Sequence, residues 1–216
     1  MEEADAIVGY KTYVELVKDI IKDKEVVASG MRKEKARAEE AVKLALQGKC
    51  VAVISSGDPG VYGMAGITLE VADGKVPVEM VPGVTAATAA AASLGAPLVH
   101  DFAVISLSDL LTPWNKIMSR LEASAMADMV IVLYNPRSKG RPDHIKTARE
   151  IILWHRDPQT PVGLVRSARR GKEEVTITTL KEMLNYEIDM LTTVIIGNSE
   201  TMVKNGKMIT PRGYDV

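Results

Sequence analysis

Four apolar residues, Val51-Ala52-Val53-Ile54, run directly into Ser55-Ser56-Gly57-Asp58-Pro59-Gly60-Val61-Tyr62-Gly63-Met64. No other junction restricts the fold as much. A short aliphatic run of this kind predicts a buried strand. The ten positions after it hold three glycines, a proline, a carboxylate and two small hydroxyls, which together predict a sharp turn. Ala65 to Ala72 then reads as a helix closed by Asp73-Gly74. A strand that ends in a Gly-rich turn before a helix belongs to an open α/β sheet, whose ligands bind outside the carboxyl ends of its strands.

The same alternation recurs along the chain. Ala6-Ile7-Val8-Gly9 predicts a short strand, and Tyr10 to Ile21 a helix with Tyr13, Leu16, Val17 and Ile20 on one face. Arg32 to Leu46 is amphipathic, with Gly48 as its stop. Val78-Glu79-Met80-Val81 alternates and ends at Pro82-Gly83. The small, apolar segment Val84 to Ala92 suits a tightly packed interior helix or, at its first turn, ligand contact. The character changes around Pro97-Leu98-Val99-His100-Asp101, so two domains are expected, 1–100 and 101–216. In the second, strands are expected at Ala103 to Leu107, Met129 to Tyr134, Val162 to Val165, Val175 to Thr178, Thr193 to Ile196 and Lys207 to Thr210. Helices are expected from Thr112-Pro113, with Trp114, Ile117, Leu121 and Ala125 buried, from His144 to His155, and from Thr179 to Leu184. The class is α/β, parallel at first and with a mixed sheet plausible later.

Composition removes several function classes. A formal net charge of -1 argues against a nucleic-acid binder by bulk electrostatics. One cysteine, Cys50, excludes an intramolecular disulfide framework and a multi-cysteine metal site, and is expected to be a buried structural thiol. No run approaches the roughly 20 apolar residues of a membrane span, and no signal peptide opens the chain, so a soluble cytoplasmic protein is expected. Walker, Rossmann, zincin and nucleophile-elbow motifs are absent. His100, His144 and His155 read as surface or capping residues. What remains is a set of strand-end loops: Ser56-Gly57-Asp58, Pro82 to Ala86, Ser106-Leu107-Ser108-Asp109 and Tyr134-Asn135-Pro136. They suit a mid-sized polar ligand without built-in acid–base machinery.

Taken together, the loops resemble the tetrapyrrole methylase family, the class III fold of S-adenosylmethionine-dependent methyltransferases. The resemblance is carried by VGYKTY (Val8 to Tyr13), SSGDPGVYGMAG (Ser55 to Gly66), VPGVTAA (Val81 to Ala87), GAPLVHDFAVISLSDLLTP (Gly95 to Pro113), LYNP (Leu133 to Pro136), TPVGLV (Thr160 to Val165), VIIGN (Val194 to Asn198) and TPRGY (Thr210 to Tyr214). It spans nearly the whole chain. GDPxxYG and PGVTAA mark the wider family. The HDFAxISLSDLLTPW, LYNP and TPRGY motifs are narrower and resemble members that methylate C(17) of precorrin-3B or cobalt-precorrin-3, with ring contraction, in cobalamin biosynthesis. Another corrin-ring methylation, or a shortened member that only binds tetrapyrroles, is the alternative.

The resemblance implies two α/β domains with the cofactor in the cleft between them, a homodimer, and a tetrapyrrole substrate bearing several carboxylates. It implies cofactor contacts at Gly57, Asp58, Val61, Thr85, Ala86, Asn135, Gly163 and Thr193. It places Tyr62, Gly63, Met64, His100, Ser106 and Arg141 toward the substrate, and it names no catalytic acid or base; Tyr62, His100, Asp101 and Ser106 are the candidates. Lys139, Arg141, Arg166, Arg169 and Arg170 lie on loops where substrate carboxylates could be met. Relatives carry a strand and a GxGPG-type loop ahead of the segment equivalent to Ala6–Tyr10, and no counterpart precedes Ala6 here. A gap at the centre or edge of the first sheet and a more open cofactor cleft are therefore expected.

Overall fold

A computed structural model describes residues 1–215. By its internal contacts the chain divides into Met1–Thr85 and Ala86–Val216. The division falls ahead of the alanine-rich helix, whereas the change in sequence character lies near His100. The reason is where that helix buries its side chains. Ala87, Ala90, Ala91 and Leu94 form one apolar cluster with Val130, Val132, Val165 and Ile195 of the second unit.

The first unit comprises β1 (Ala6–Tyr10), α1 (Lys11–Leu16), β2 (Glu25–Ser29), α2 (Glu34–Leu46), β3 (Val51–Ile54) and α3 (Ala65–Ala72). Its three strands are parallel, in the order β2-β1-β3. Ala6, Ile7 and Val8 are fully buried because β1 is central and covered on both faces. On one side Ala6 and Val8 meet Ala41 and Leu44 of α2. On the other Ile7 meets Ala4 and Ile21, with Val14 and Val17 packed against them.

Two expectations change here. The helix expected to reach Ile21 stops at Leu16, and Leu16 and Ile20 are exposed, so the apolar spacing past Val17 does not build a buried helical face. The alternating segment Val78–Val81 is not a strand. The centre of the sheet is filled, since β1 is bonded on both sides, and β3 is an edge strand whose residues are all only partly buried. Cys50, one residue before β3, is exposed rather than buried: its N–H donates to Asp5 Oδ2 at 2.8 Å, and the position serves backbone pairing rather than thiol packing.

The second unit holds α4 (Ala86–Leu94), β4 (Gly95–Ala96), β5 (Phe102–Ser106), α5 (Trp114–Met126), β6 (Val130–Tyr134), α6 (His144–Leu153), β7 (Pro161–Arg166), β8 (Glu174–Thr179), a 3-10 turn (Met183–Asn185), β9 (Thr192–Ile196), β10 (Met202–Lys204) and β11 (Lys207–Ile209). Five strands form one sheet in the order β5-β6-β9-β7-β8, with β5 and β6 parallel and the other pairings antiparallel. This is the mixed sheet that the sequence makes plausible. Side chains alternate across it as strand geometry requires. Ile131, Leu133, Val194 and Ile196 face a core with α5 and α6, while Val130, Val132 and Ile195 face α4. A small sheet, β10-β11-β4, completes the unit. Among the described residues no helix is long and apolar enough to cross a membrane.

The edge position of β3 has a measurable consequence. In hydrogen exchange followed by NMR, the outward-facing alternate amides of Val51–Ile54 exchange faster than those of Ala6–Tyr10, whose neighbours lie on both sides. Equal protection of the two strands would show that β3 has a partner.

Candidate functional site

The first unit brings the strand-end loops after β3 and before Thr85 into contact. Asp58 is the link. Its Oδ1 accepts the N–H of Gly60 at 2.8 Å, and its Oδ2 accepts the N–H of Gly83 at 2.9 Å. These two amides, Gly83 first, hold the carboxyl below the usual aspartate range. The two loops also meet as bare backbone: a Cβ on Gly83 would lie 2.1 Å from the Gly57 carbonyl oxygen. Gly57 itself turns in the left-handed region, at φ 74°. Gly63 is similarly enclosed, since a Cβ there would lie 2.7 Å from the Pro59 carbonyl oxygen and 2.8 Å from Ser55 Oγ.

Between those glycines Tyr62 adopts φ 55°, a costly conformation for a bulky residue, and its ring is largely exposed. Met64 closes the loop, buried, with its carbonyl accepting from Thr68 Oγ1 at 2.8 Å. Gly57, Asp58, Val61, Tyr62, Gly63 and Met64 thus form one rigid turn, and the Asp58–Gly83 bond brings the run toward Thr85 beside it.

In the second unit the carboxyl ends of β5 and β6 lie side by side. Tyr134 Oη accepts the N–H of Ala87 at 2.6 Å, which ties the end of β6 to the first turn of α4, next to Ala86. Asn135 takes φ 50°, a conformation its side chain tolerates, and its Nδ2 donates to Ser106 Oγ at 3.0 Å. Ser106 Oγ also accepts the N–H of Ser108 at 3.2 Å. Thr193 is buried on β9, opposite Val165 and on the strand face that turns toward α4.

Three expected residues have other contacts in this unit. Gly163 is mid-strand in β7, paired to Ile195 and Ile177, and a Cβ there would lie 2.2 Å from Leu94 Cδ1. Its small size serves the packing of α4 on the sheet. His100 precedes β5, and Ser106 ends that strand, about 13 Å beyond Phe102; the His100 ring Nδ1 accepts the N–H of Asp101 at 2.8 Å. His100, Asp101 and Ser106 therefore do not converge. Arg141 is committed to its own chain, donating from Nη1 to the Leu107 carbonyl at 2.8 Å.

Arg166 is also engaged. Its Nε donates to Asp189 Oδ2 at 2.9 Å, and Glu174 lies 3.6 Å from Nη1. The Asp189 bond raises the guanidinium pKa further. Burial pushes Asp189 up, but the bonds from Arg166, the Leu191 N–H and Thr192 outweigh it, so the carboxyl stays below its ordinary range.

One cluster escapes sequence reasoning. His144 stacks on Trp114, with ring centroids 4.0 Å apart and planes 11° from parallel. Its Nδ1 is 3.2 Å from the Leu107 carbonyl oxygen, and its Nε2 is 3.6 Å from Asp109 Oδ2. The spacing of Trp114 and His144 gives no hint of this, because the two residues open different helices.

Comparison with known proteins adds to the geometry. A family model described as Tetrapyrrole (Corrin/Porphyrin) Methylases matches residues 1–184. A cobalt-factor III methyltransferase of Priestia megaterium is 53% identical over 221 residues, covering 99% of this chain and 41% of that protein. A probable cobalt-factor III C(17)-methyltransferase of Salmonella typhimurium is 51% identical over 217 residues, covering 99% of this chain and 90% of that protein. The chain thus spans well under half of the first relative and nine-tenths of the second. Among solved structures, that of the methyltransferase CobJ matches with a TM-score of 0.90 at 34% identity, over 97% of this chain and 89% of that one. Uroporphyrin-III C-methyl transferase from Thermus thermophilus, complexed with S-adenyl homocysteine, matches with a TM-score of 0.67 at 25% identity, over 91% of this chain and 86% of that one. The chain belongs to the tetrapyrrole methylase family.

Two substitutions test the local geometry. The depressed pKa of Asp58 means the unfolded chain takes up the proton first as acid is added. Its stabilisation is full above the ordinary aspartate pKa and is lost as pH falls through the lowered folded value. Asp58→Asn should therefore flatten the acid limb of thermal stability below the ordinary aspartate range, and an unchanged limb would show that the carboxylate ties nothing. Gly163→Ala should destabilise the fold by about 1–3 kcal/mol in urea unfolding, through overpacking against Leu94.

Proposed function

We propose that this chain transfers a methyl group from S-adenosylmethionine to C(17) of cobalt-factor III or of precorrin-3B, with contraction of the macrocycle, in cobalamin biosynthesis. The observation that carries this reading is the 51% identity to the Salmonella typhimurium relative over nine-tenths of that protein. The cofactor part is supported by the match to a structure complexed with S-adenyl homocysteine. A homodimer in the cytoplasm is part of the same reading.

The residues present suit such a cofactor. A sulfonium nucleoside with an amino-acid tail needs many short, directed hydrogen bonds in a narrow space, and bare backbone supplies them best. The Gly57–Gly83 approach and the strained Tyr62 form such a surface in the first unit. Gly57, Asp58, Val61 and Thr85 would contact the cofactor there, and Ala86, Asn135 and Thr193 in the second unit. Asp58 does so as the brace of its loop, because two backbone amides already occupy its oxygens. Gly163 contributes the strand shape that lets α4 lie close.

When bound, the cofactor supplies an activated methyl group, so the protein's task is alignment. Tyr62, Gly63 and Met64 belong to the side of the turn that would face the tetrapyrrole. The pairing of Asn135 with Ser106 holds the ends of β5 and β6 at a fixed spacing for it. His100 has no place in this arrangement, since it lies at the other edge of β5.

Incubation with cobalt-factor III and methyl-labelled S-adenosylmethionine should place one label on the macrocycle, at C(17) by NMR. Label at another carbon would assign a different corrin methylation, and no label with retained tetrapyrrole binding would leave only a binding protein. Calorimetric titration with S-adenosylhomocysteine examines the cofactor half separately, and micromolar binding is the expected result.

A further inference from the structure

The segment between β5 and α5 is fastened at both ends by a single side chain. At its start, Leu107 is fully buried, and its N–H donates to the Tyr134 carbonyl at 2.9 Å. Its own carbonyl faces Arg141 Nη1 at 2.8 Å and His144 Nδ1 at 3.2 Å. At its end, Trp114 opens α5 and stacks on the same His144 ring. In the middle, Asp109 lies 3.8 Å from Arg141 Nε and 3.6 Å from His144 Nε2. The Arg141 and His144 side chains are only 12% and 19% exposed, so these contacts are screened from water far more than surface pairs are.

What this holds in place is apolar and open. Leu110 is 60% exposed and Leu111 is 98% exposed. An exposed leucine on a loose loop would need no explanation. Two adjacent leucines on a loop pinned at both ends and at its centre present a preformed apolar surface, whose ordering cost is already met before any ligand arrives. The loop leaves the carboxyl end of β5, where Ser106 meets Asn135 and where open α/β sheets take their ligands.

We propose that Arg141 and His144 are positioning residues that set Leu110 and Leu111 against the apolar face of the tetrapyrrole macrocycle, making this loop a determinant of tetrapyrrole affinity. The inference rests on the reading of the substrate as a tetrapyrrole. It gives Arg141 a different task from binding a substrate carboxylate, because its guanidinium is used within the loop.

The test uses the full chain. Cobalt-factor III binding is followed by absorbance, S-adenosylhomocysteine binding by calorimetry, and Tm and sedimentation are recorded beside them. Leu111→Ser should weaken cobalt-factor III binding about tenfold, as expected for one leucine left in water, with cofactor affinity and Tm unchanged. His144→Ala should raise the KM for the tetrapyrrole with a smaller change in kcat. His144→Gln, whose amide can donate to the Leu107 carbonyl, should recover part of that loss. Unchanged tetrapyrrole affinity in Leu111→Ser would overturn the proposal. So would a shift in sedimentation with tetrapyrrole binding intact, which would assign the leucines to contact between copies of the chain. Equal losses of tetrapyrrole and cofactor affinity in His144→Ala would reduce His144 to a general structural residue. If the wild-type chain bound S-adenosylhomocysteine but no cobalt-factor III, the substrate reading itself would fall, and this proposal with it.

Discussion

A carboxylate that accepts two backbone amides, from Gly60 beside it and from Gly83 in a second loop, is the interaction on which the first unit's ligand surface depends. Isolated loops of glycine and proline have many conformations, and fixing them costs about 1–2 kcal/mol per residue in backbone entropy. Asp58 removes that freedom from two loops at once. The glycines then permit what a side chain would forbid, the direct apposition of Gly57 and Gly83. The strained Tyr62 persists because its neighbours on both sides are held.

The second unit reaches a similar end by different means. Its sheet is buried on both faces, so each strand leaves the core at a fixed point. The ends of β5 and β6 are then joined by the Asn135–Ser106 bond, and Tyr134 reaches across to the first turn of α4. Side chains here substitute for the backbone contacts of the first unit. A methyl transfer between a nucleoside and a macrocycle needs two rigid surfaces and little proton chemistry until the ring rearranges, which accords with the lack of a recognisable triad in the sequence.

Much of this was legible from residues alone, for clear reasons. Short aliphatic runs that stop at glycine, serine or Asn-Pro mark β1, β3, β6 and β9, and in β1, β6 and β9, covered on both faces, no polar alternation blurs them. The turn at Gly57–Gly63 was visible because only a few residue types can make it. Other features depend on partners distant in sequence. Val78–Val81 has the alternation of a strand, but alternation cannot show whether a neighbour exists to pair with it. At Gly163 the resemblance implies a cofactor contact; the close packing of Leu94 against it is a second reason for a glycine there, which sequence spacing does not bring near. His100 and Ser106 are close in sequence yet lie at opposite edges of the sheet because a strand runs between them. By sequence His144 reads as a surface or capping residue; its meeting with Trp114 and Leu107 follows from packing α5 beside α6, not from any local pattern.

The Trp114–His144 stack also gives the protein an optical property. The chain has two tryptophans, and the other, Trp154, is 75% exposed. Their indoles differ in environment, one half-buried and flat against an imidazole, the other largely in water. With Trp154 replaced, the remaining emission comes from a single ring at the base of the Leu110–Leu111 loop. Docking of a ligand against that loop would then be readable as a change in intensity and wavelength, with no label attached.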